Sequence, residues 1–363
     1  MKIGFFAPMP PAPTGVAHYG ERLLGELRRF AEVELNARRA DVFLYHLGNN
    51  QLHREIYRRA LECPGVVVLH DAVLHHFFLG ASERADYIEE FVYNYGEWSR
   101  GLAESFWAGR SRSAADPRYF RFPMLRRIAE VSRAVVVHNP AAARMVREHA
   151  PQARVVEIPC PVWLPRPSPE YDRIRRRKRM GVGLRTTLFG VLGYLRECKR
   201  LGAALRAFQQ ARRAGVDAAM LVAGRFETEE FERAMAPWME GVVRLGPLPD
   251  REFWDAAATT DVIVNLRYPS AGETSGIGMT LMGLGKAVIF SEGEEIANLP
   301  DTVCLRVPPG VGERCCLSEY MIWLASFPED AREIGRRAAA WVREAHSPAL
   351  VAERYWELLR AVA

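Results

Sequence analysis

The sequence predicts an α/β protein of two doubly wound halves, each a parallel sheet covered by helices on both faces. Three observations carry this reading. Short β-branched runs alternate with helical stretches along the chain, the rhythm of strand–helix–strand units with parallel pairing. The alternation comes as two series, separated by a stretch in which Pro159, Pro161, Pro165, Pro167 and Pro169 remove backbone donors and interrupt any regular element. Finally, 363 residues are many for one core, and surface-to-volume scaling favours two domains with a cleft between them.

The first series opens with a strand, Lys2-Ile3-Gly4-Phe5-Phe6-Ala7, a Pro-rich loop to Gly15 and a helix through Arg29. Buried strands follow at 41–45, 66–70, 134–138 and 155–158. Residues 87–124 form an aromatic-rich helical insertion in which Phe91, Tyr95, Trp98, Leu102 and Phe106 recur at helical spacing. That spacing fits a packing core, with an acceptor-facing wall as the alternative. After the proline-rich linker the second series places strands at 187–192, 219–223, 242–245, 262–266, 287–290 and 303–307. The last helix, 348–362, has an apolar stripe at Leu350, Val351, Tyr355, Leu358 and Leu359 that needs a partner, and it is expected to return to the N-terminal domain. The domains are thus 1–165, 182–345 and the returning segment 346–363.

With 49% apolar and 26% charged residues, the composition is that of a folded globular protein. No secretory h-region and no apolar run of bilayer length is found, so a cytoplasmic location is expected. Six cysteines (Cys63, Cys160, Cys198, Cys304, Cys315 and Cys316) lack Cys-x-x-Cys spacing and read as reduced thiols. The net charge of +5 is modest, but cations cluster in the run from Arg173 to Arg179. The run reads as a solvated linker face, a contact with an anionic membrane, or a nucleic-acid patch; no aromatic interleaving supports the last.

Open parallel sheets bind ligands beyond the carboxyl ends of their strands, so residues there carry the functional question. The first strand leads through Pro13-Thr14-Gly15 into a helix, where a glycine lets backbone amides approach a phosphate or hydroxyl. No G-x-G-x-x-G fingerprint and no Walker loop is present, which counts against dinucleotide enzymes and P-loop ATPases. His70-Asp71 closes the strand Val66-Val67-Val68-Leu69, with His75-His76 one turn on; the spacing matches no zincin, and a histidine binding sugar hydroxyls or a structural histidine are the readings left. In the second half, Gly193 to Arg200 follows a buried strand and brings Arg196, Lys199 and Arg200 into one turn suited to a diphosphate, or to a solvated loop. The stretch Tyr268 to Thr280 bares amides at a helix start, with Glu273 its one acid, either facing sugar hydroxyls or capping the helix from the surface.

Together these stretches resemble the retaining glycosyltransferases of the GT-B fold, family four, over nearly the whole chain. The resemblance rests on the Pro13-Thr14-Gly15 loop, the Leu47-Gly48-Asn49-Asn50 turn, the His70-Asp71 strand end, Gly193 to Lys199, and Gly272-Glu273-Thr274-Ser275-Gly276 running into Leu284-Gly285-Lys286-Ala287-Val288. It implies two Rossmann-like domains facing across a cleft, and a sugar moved from a nucleotide-sugar donor to a glycan, lipid-linked or small-molecule acceptor. It implies neither cofactor nor metal, no nucleic-acid partner, and at most a peripheral contact with anionic membrane. His70, Lys199 and Glu273 are then the catalytic candidates, with His70 touching the transferred sugar and Lys199 neutralising the diphosphate. Donor binding falls to Gly15, Tyr194, Arg196, Lys199, Arg200, Arg225, Thr274, Ser275, Gly276 and Thr280, and the acceptor side to His18, Tyr19, Asn49 and Asp71.

The chain departs from the family pattern at three points. Tyr194 stands where an arginine is usual, with Arg196 or Arg200 as substitutes. The usual glutamates of Glu-x7-Glu fall at Gly272 and Thr280, with Glu273 one position late. The implied chemistry is electrostatic: negative charge that builds on the departing diphosphate meets fixed donors, and the leaving phosphate takes the acceptor's proton from the same face. A nucleotide-sugar epimerase, a sugar phosphorylase and a non-catalytic sugar-nucleotide-binding subunit are the rival functions.

Overall fold

A computed structural model describes residues 1–114 and 116–363. It contains two six-stranded sheets, and every strand pair in both is parallel. The first comprises β1 (Lys2–Phe6), β2 (Glu32–Leu35), β3 (Val42–Leu47), β4 (Val66–Leu69), β5 (Ala134–Val137) and β6 (Val155–Glu157), in the order β2-β1-β3-β4-β5-β6. The second comprises β7 (Thr187–Leu192), β8 (Ala218–Ala223), β9 (Val242–Leu245), β10 (Val262–Asn265), β11 (Ala287–Ser291) and β12 (Leu305–Val307), in the order β12-β11-β10-β7-β8-β9. These are two Rossmann-like domains, the GT-B architecture.

The central strands formed where expected because a strand covered on both faces is a continuous apolar run: every residue of β4, β5, β7 and β10 is buried. The edge strand β2 escaped sequence reading for the opposite reason. Its Glu32 and Glu34 face outward and pair with Lys2, so it carries no apolar run to recognise. Apolar clusters fill both faces of both sheets.

The last helix, Pro348–Val362, packs on the first, Gly15–Leu27, and completes one face of the N-terminal sheet. Val351, Tyr355 and Leu359 are fully buried there, each worth about 1.5–3 kcal/mol of apolar transfer. The Tyr19 and Tyr355 hydroxyls meet at 3.0 Å inside this contact.

Two expectations are corrected in part. The basic run forms the helix Arg173–Arg179 with Arg175, Lys178 and Arg179 exposed, as a solvated inter-domain helix would have them, but Arg173, Arg176 and Arg177 pair with Asp261 and Asp255 of the C-terminal domain. Arg177 is fully buried, its Nη1 donating to Asp261 Oδ2 at 3.0 Å and its Nη2 to the Gly183 carbonyl at 2.8 Å. In the insertion, Phe91 and Phe106 are core, but Trp98 is 76% exposed. The part of the insertion that reaches the cleft is the short turn Pro117–Arg121, not its long helices. Among the described residues all six cysteines are free, and no helix is long and apolar enough to cross a membrane.

Candidate active site

Both strand orders reverse once, between β1 and β3 in the first sheet and between β7 and β10 in the second. Loops leaving neighbouring strands in opposite directions open a crevice at such a point. In the second sheet this brings Gly193 to Lys199, after β7, beside Arg267 to Ser275, after β10; Tyr268 N donates to the Cys198 carbonyl at 2.8 Å and ties the two loops together. Gly193 takes φ +107°, where a side chain would be strained.

Glu273 is the centre of the β10 loop. One carboxylate oxygen pairs with Arg267 Nη1, while the other accepts from Ala271 N at 2.7 Å and Ser270 Oγ at 3.2 Å. Both side chains of the ion pair are largely buried. Burial, the largest single influence, would push the Glu273 carboxyl up, but the adjacent guanidinium and the backbone hydrogen bonds of the loop together outweigh it and hold it below its ordinary value.

Lys199 stands in the turn Glu197–Lys199, and among the described residues no carboxylate is bonded to it. Burial, and then the neighbouring Arg267 and Arg196, bring its ammonium down to about 7, partly offset by Glu273. Three basic side chains thus converge in the crevice, Arg267 paired with Glu273 and Arg196 beside Glu227.

From the first sheet, Asp71 faces this group. Its Oδ2 accepts from Asn49 N at 2.8 Å, and burial together with Glu273 raises its carboxyl. Asn49 is itself fixed, its Oδ1 accepting from Phe77 N at 2.8 Å.

The lobes touch through the β10 loop. Ala72 N donates to the Ala271 carbonyl at 2.8 Å, and Asn139 Nδ2 donates to the Gly272 carbonyl at 2.9 Å and to Thr274 Oγ1 at 3.0 Å. Gly272 has φ +71°, and a Cβ there would lie 2.8 Å from Ala72 Cβ and 3.2 Å from Met145 Sδ. No glutamate side chain fits at 272, and the acid of this loop stands one residue on. At Thr280, Oγ1 donates to the Gly276 carbonyl at 2.8 Å.

Three cavities open along the cleft. The first, about 290 Å³, is walled by Gly15, His18, Trp163, Trp254, Ile277 and Thr280. The second, about 390 Å³, is walled by Asn49, Asp71, His76, Phe120, Arg196 and Glu273. The third, about 320 Å³, is walled by residues including Phe120, Arg267, Tyr268, Glu273, Thr274 and Ser275.

Several expected residues therefore converge and others do not. Gly15 and His18 meet Gly276 and Thr280 on the first cavity, and Asn49 and Asp71 meet Arg196 and Glu273 on the second. His70 lines none of the three: its Nε2 and His46 Nδ1 share a hydrogen bond of 3.0 Å, and Tyr19 sits edge-on to its ring at 4.6 Å. Burial and the neighbouring His46 and His138 hold its imidazole well below the usual range, so it is a neutral ring behind Asp71.

Tyr19 also lines the first cavity, but its hydroxyl is spent on Tyr355. Arg200 turns away into a two-point pair with buried Glu313, Nε lying 3.1 Å from each oxygen. Tyr194 and Arg225 are exposed, and the Arg196 guanidinium lies 5.5 Å from the Tyr194 ring. Sequence reading missed Arg267, Asn139 and Trp254; the one available signal was the position of Arg267 just beyond a buried strand. Among the described residues no group of three or more His, Cys, Asp or Glu side chains is arranged to hold a metal ion.

No family model matches the chain. Over 187 residues it is 28% identical to the D-rhamnosyltransferase WbpZ of Pseudomonas aeruginosa, a match covering 49% of this chain and 45% of that protein, so the chain matches less than half the length of this curated relative. Among solved structures, Anabaena HepE in complex with UDP and glucose superposes with TM-score 0.70 at 14% identity, covering 99% of this chain and 100% of that one. Sucrose-phosphate synthase from Thermosynechococcus elongatus gives 0.67 at 14%, covering 100% and 99%. WaaG, a glycosyltransferase involved in lipopolysaccharide biosynthesis, gives 0.63 at 13%, covering 98% and 99%. At these identities the superpositions speak for the fold.

Proposed function

We propose that this chain is a glycosyltransferase that moves a sugar, of hexose type, from a nucleotide-sugar donor to a hydroxyl acceptor with retention of configuration. One observation carries the reading: at the switch point of the C-terminal sheet, Lys199, Arg196 and Arg267 gather beside the amides that open the helix Gly276–Gly283, and among the described residues no carboxylate is bonded to Lys199 and Arg196 Nε is buried without a partner. Such a place is short of an anion. The partial match to a rhamnosyltransferase, and a fold shared with a structure that holds UDP-glucose, are in keeping with a nucleotide sugar as that anion.

In this reading the nucleoside lies in the first cavity against Trp254, Ile277 and Thr280, and the diphosphate runs past Gly276 toward Lys199, which lines none of the three cavities itself. The sugar enters the second cavity between Asp71 and Glu273. As the bond to the diphosphate lengthens, negative charge grows on the phosphate oxygens, and Lys199 with the helix amides meets it without reorganising. Glu273, whose oxygens already hold Arg267 and the loop amide, positions that cation rather than attacking the sugar. The leaving phosphate takes the acceptor's proton on the same face. The chemistry needs no metal, and the enzyme works in the cytoplasm.

A thermal-shift series over nucleoside diphosphates and their sugars tests binding, because a ligand selective for the folded state raises the melting temperature. Lys199→Ala should then cut turnover about 100-fold or more. Full activity in that variant would refute the assignment. Tight binding of a nucleotide sugar with no transfer across an acceptor panel would instead favour a binding subunit, a reading prompted by Tyr194 and Thr280.

A further inference from the structure

We infer that the third cavity is the acceptor subsite and that it takes the neutral, hydroxyl-rich end of a saccharide rather than a phosphorylated head group; this rests on the transferase reading above. Its position is the first argument. Phe120, Pro269 and Glu273 wall both the second and the third cavity, so a molecule seated in the third can pass one hydroxyl by Glu273 into the second, beside Asp71 and Arg196. The first cavity, given above to the nucleoside, shares no lining residue with the third.

The second argument is the sign of the wall. Glu292 and Glu295 both line the third cavity, and neither enters an ion pair among the described residues; Glu294 between them is spent on Arg144 across the cleft. Of the cavity's arginines, Arg267 is spent on Glu273, which leaves Arg121 at the rim. On the inner wall His138 is 6% exposed, and its Nδ1 donates to the Ile158 carbonyl at 2.8 Å. The proton is therefore on Nδ1, and Nε2, itself buried, is an acceptor with no partner among the described residues.

Free carboxylates and a bare imidazole nitrogen ask for donors. Sugar hydroxyls supply donors, whereas a phosphate brings only acceptors and charge of the wrong sign. Tyr268, 49% exposed, and Phe120 add flat apolar faces against which a sugar ring can lie. A cavity of about 320 Å³ is near the small end of ligand sites, room for a short saccharide end and not for a lipid chain.

The test uses the full chain with the nucleotide sugar that gives the largest thermal shift. Saturation-transfer NMR is recorded on a panel of neutral disaccharides and on hexose 6-phosphates, with wild type, Glu295→Lys and Tyr268→Leu, both positions lining the third cavity and neither of the others. A neutral disaccharide should bind the wild type, and both substitutions should weaken it about tenfold while nucleotide affinity and melting temperature hold. Glu295→Lys should shift preference toward the hexose phosphates. A wild type that binds nucleotide but prefers hexose phosphates, or disaccharide binding that neither substitution alters, overturns this inference and leaves the donor assignment standing. Loss of nucleotide selectivity in the wild type would strike the donor assignment itself.

Discussion

Asn139, at the end of a strand in one lobe, holds the carbonyl of Gly272 in the other at 2.9 Å. The loop that carries Glu273 is therefore positioned by both domains, and the site is complete only when they meet. Disturbing either partner should act on stability and on ligand binding together.

Gly272 is the sharpest place to see this. Replacing it with alanine puts a Cβ into Ala72 at a φ of +71°, which should destabilise the protein by about 1–3 kcal/mol. Gly272→Glu, which restores the family pattern, should be worse and not more active. Denaturant midpoints and nucleotide-binding isotherms of the two variants check this.

The Arg267–Glu273 pair should obey the rule for buried charges. Arg267→Ala strands a carboxylate with both side chains under a fifth exposed and should cost about 3–5 kcal/mol, whereas Arg267→Met with Glu273→Leu should recover much of that stability. A double-mutant cycle by urea unfolding measures the coupling. The recovered double variant should still fail to bind a nucleotide sugar.

Lys199 sets a pH dependence. Its ammonium is held near 7 in the free protein, and an arriving diphosphate favours the charged form and raises that value. Affinity is then fully present below about pH 7 and falls as pH rises above it, by up to about tenfold per unit until the complex itself deprotonates. A nucleotide sugar is the right ligand, since its phosphodiesters do not titrate in this range. Calorimetry in buffers of different ionisation heat should report proton uptake near neutral pH. Lys199→Arg should flatten the profile.

The Tyr19–Tyr355 contact should be structural. Tyr19→Phe leaves one buried hydroxyl without its partner and should cost about 1–3 kcal/mol, while the double phenylalanine variant should lie close to wild type. Thermal unfolding separates the three proteins, and nucleotide affinity should be the same in all of them.

The architecture was largely legible in the amino acids because burial on both faces leaves a local mark. Thr187–Leu192 and Val262–Asn265 fall where their apolar runs put them, and the stripe on Pro348–Val362 announced a partner that proved to be the helix of Tyr19. Lys199 and Glu273 were legible as polar residues in small-residue loops after buried strands. The strand β2 was not, since an edge strand with outward glutamates looks like a loop. Nor was Arg177, whose burial depends on Asp261, 84 positions away.

What the chain determined by itself is its alternation, its two halves and the loops in which polar groups collect. Only the tertiary structure decided that the loops after β7 and β10 meet, that Arg267 faces Lys199 while Arg200 turns to Glu313, and that His70 stands behind Asp71. The physical reason is range. Periodicity and propensity act over one or two turns of chain, whereas the direction of a charged side chain is set by whichever partners strand order brings within a few ångströms.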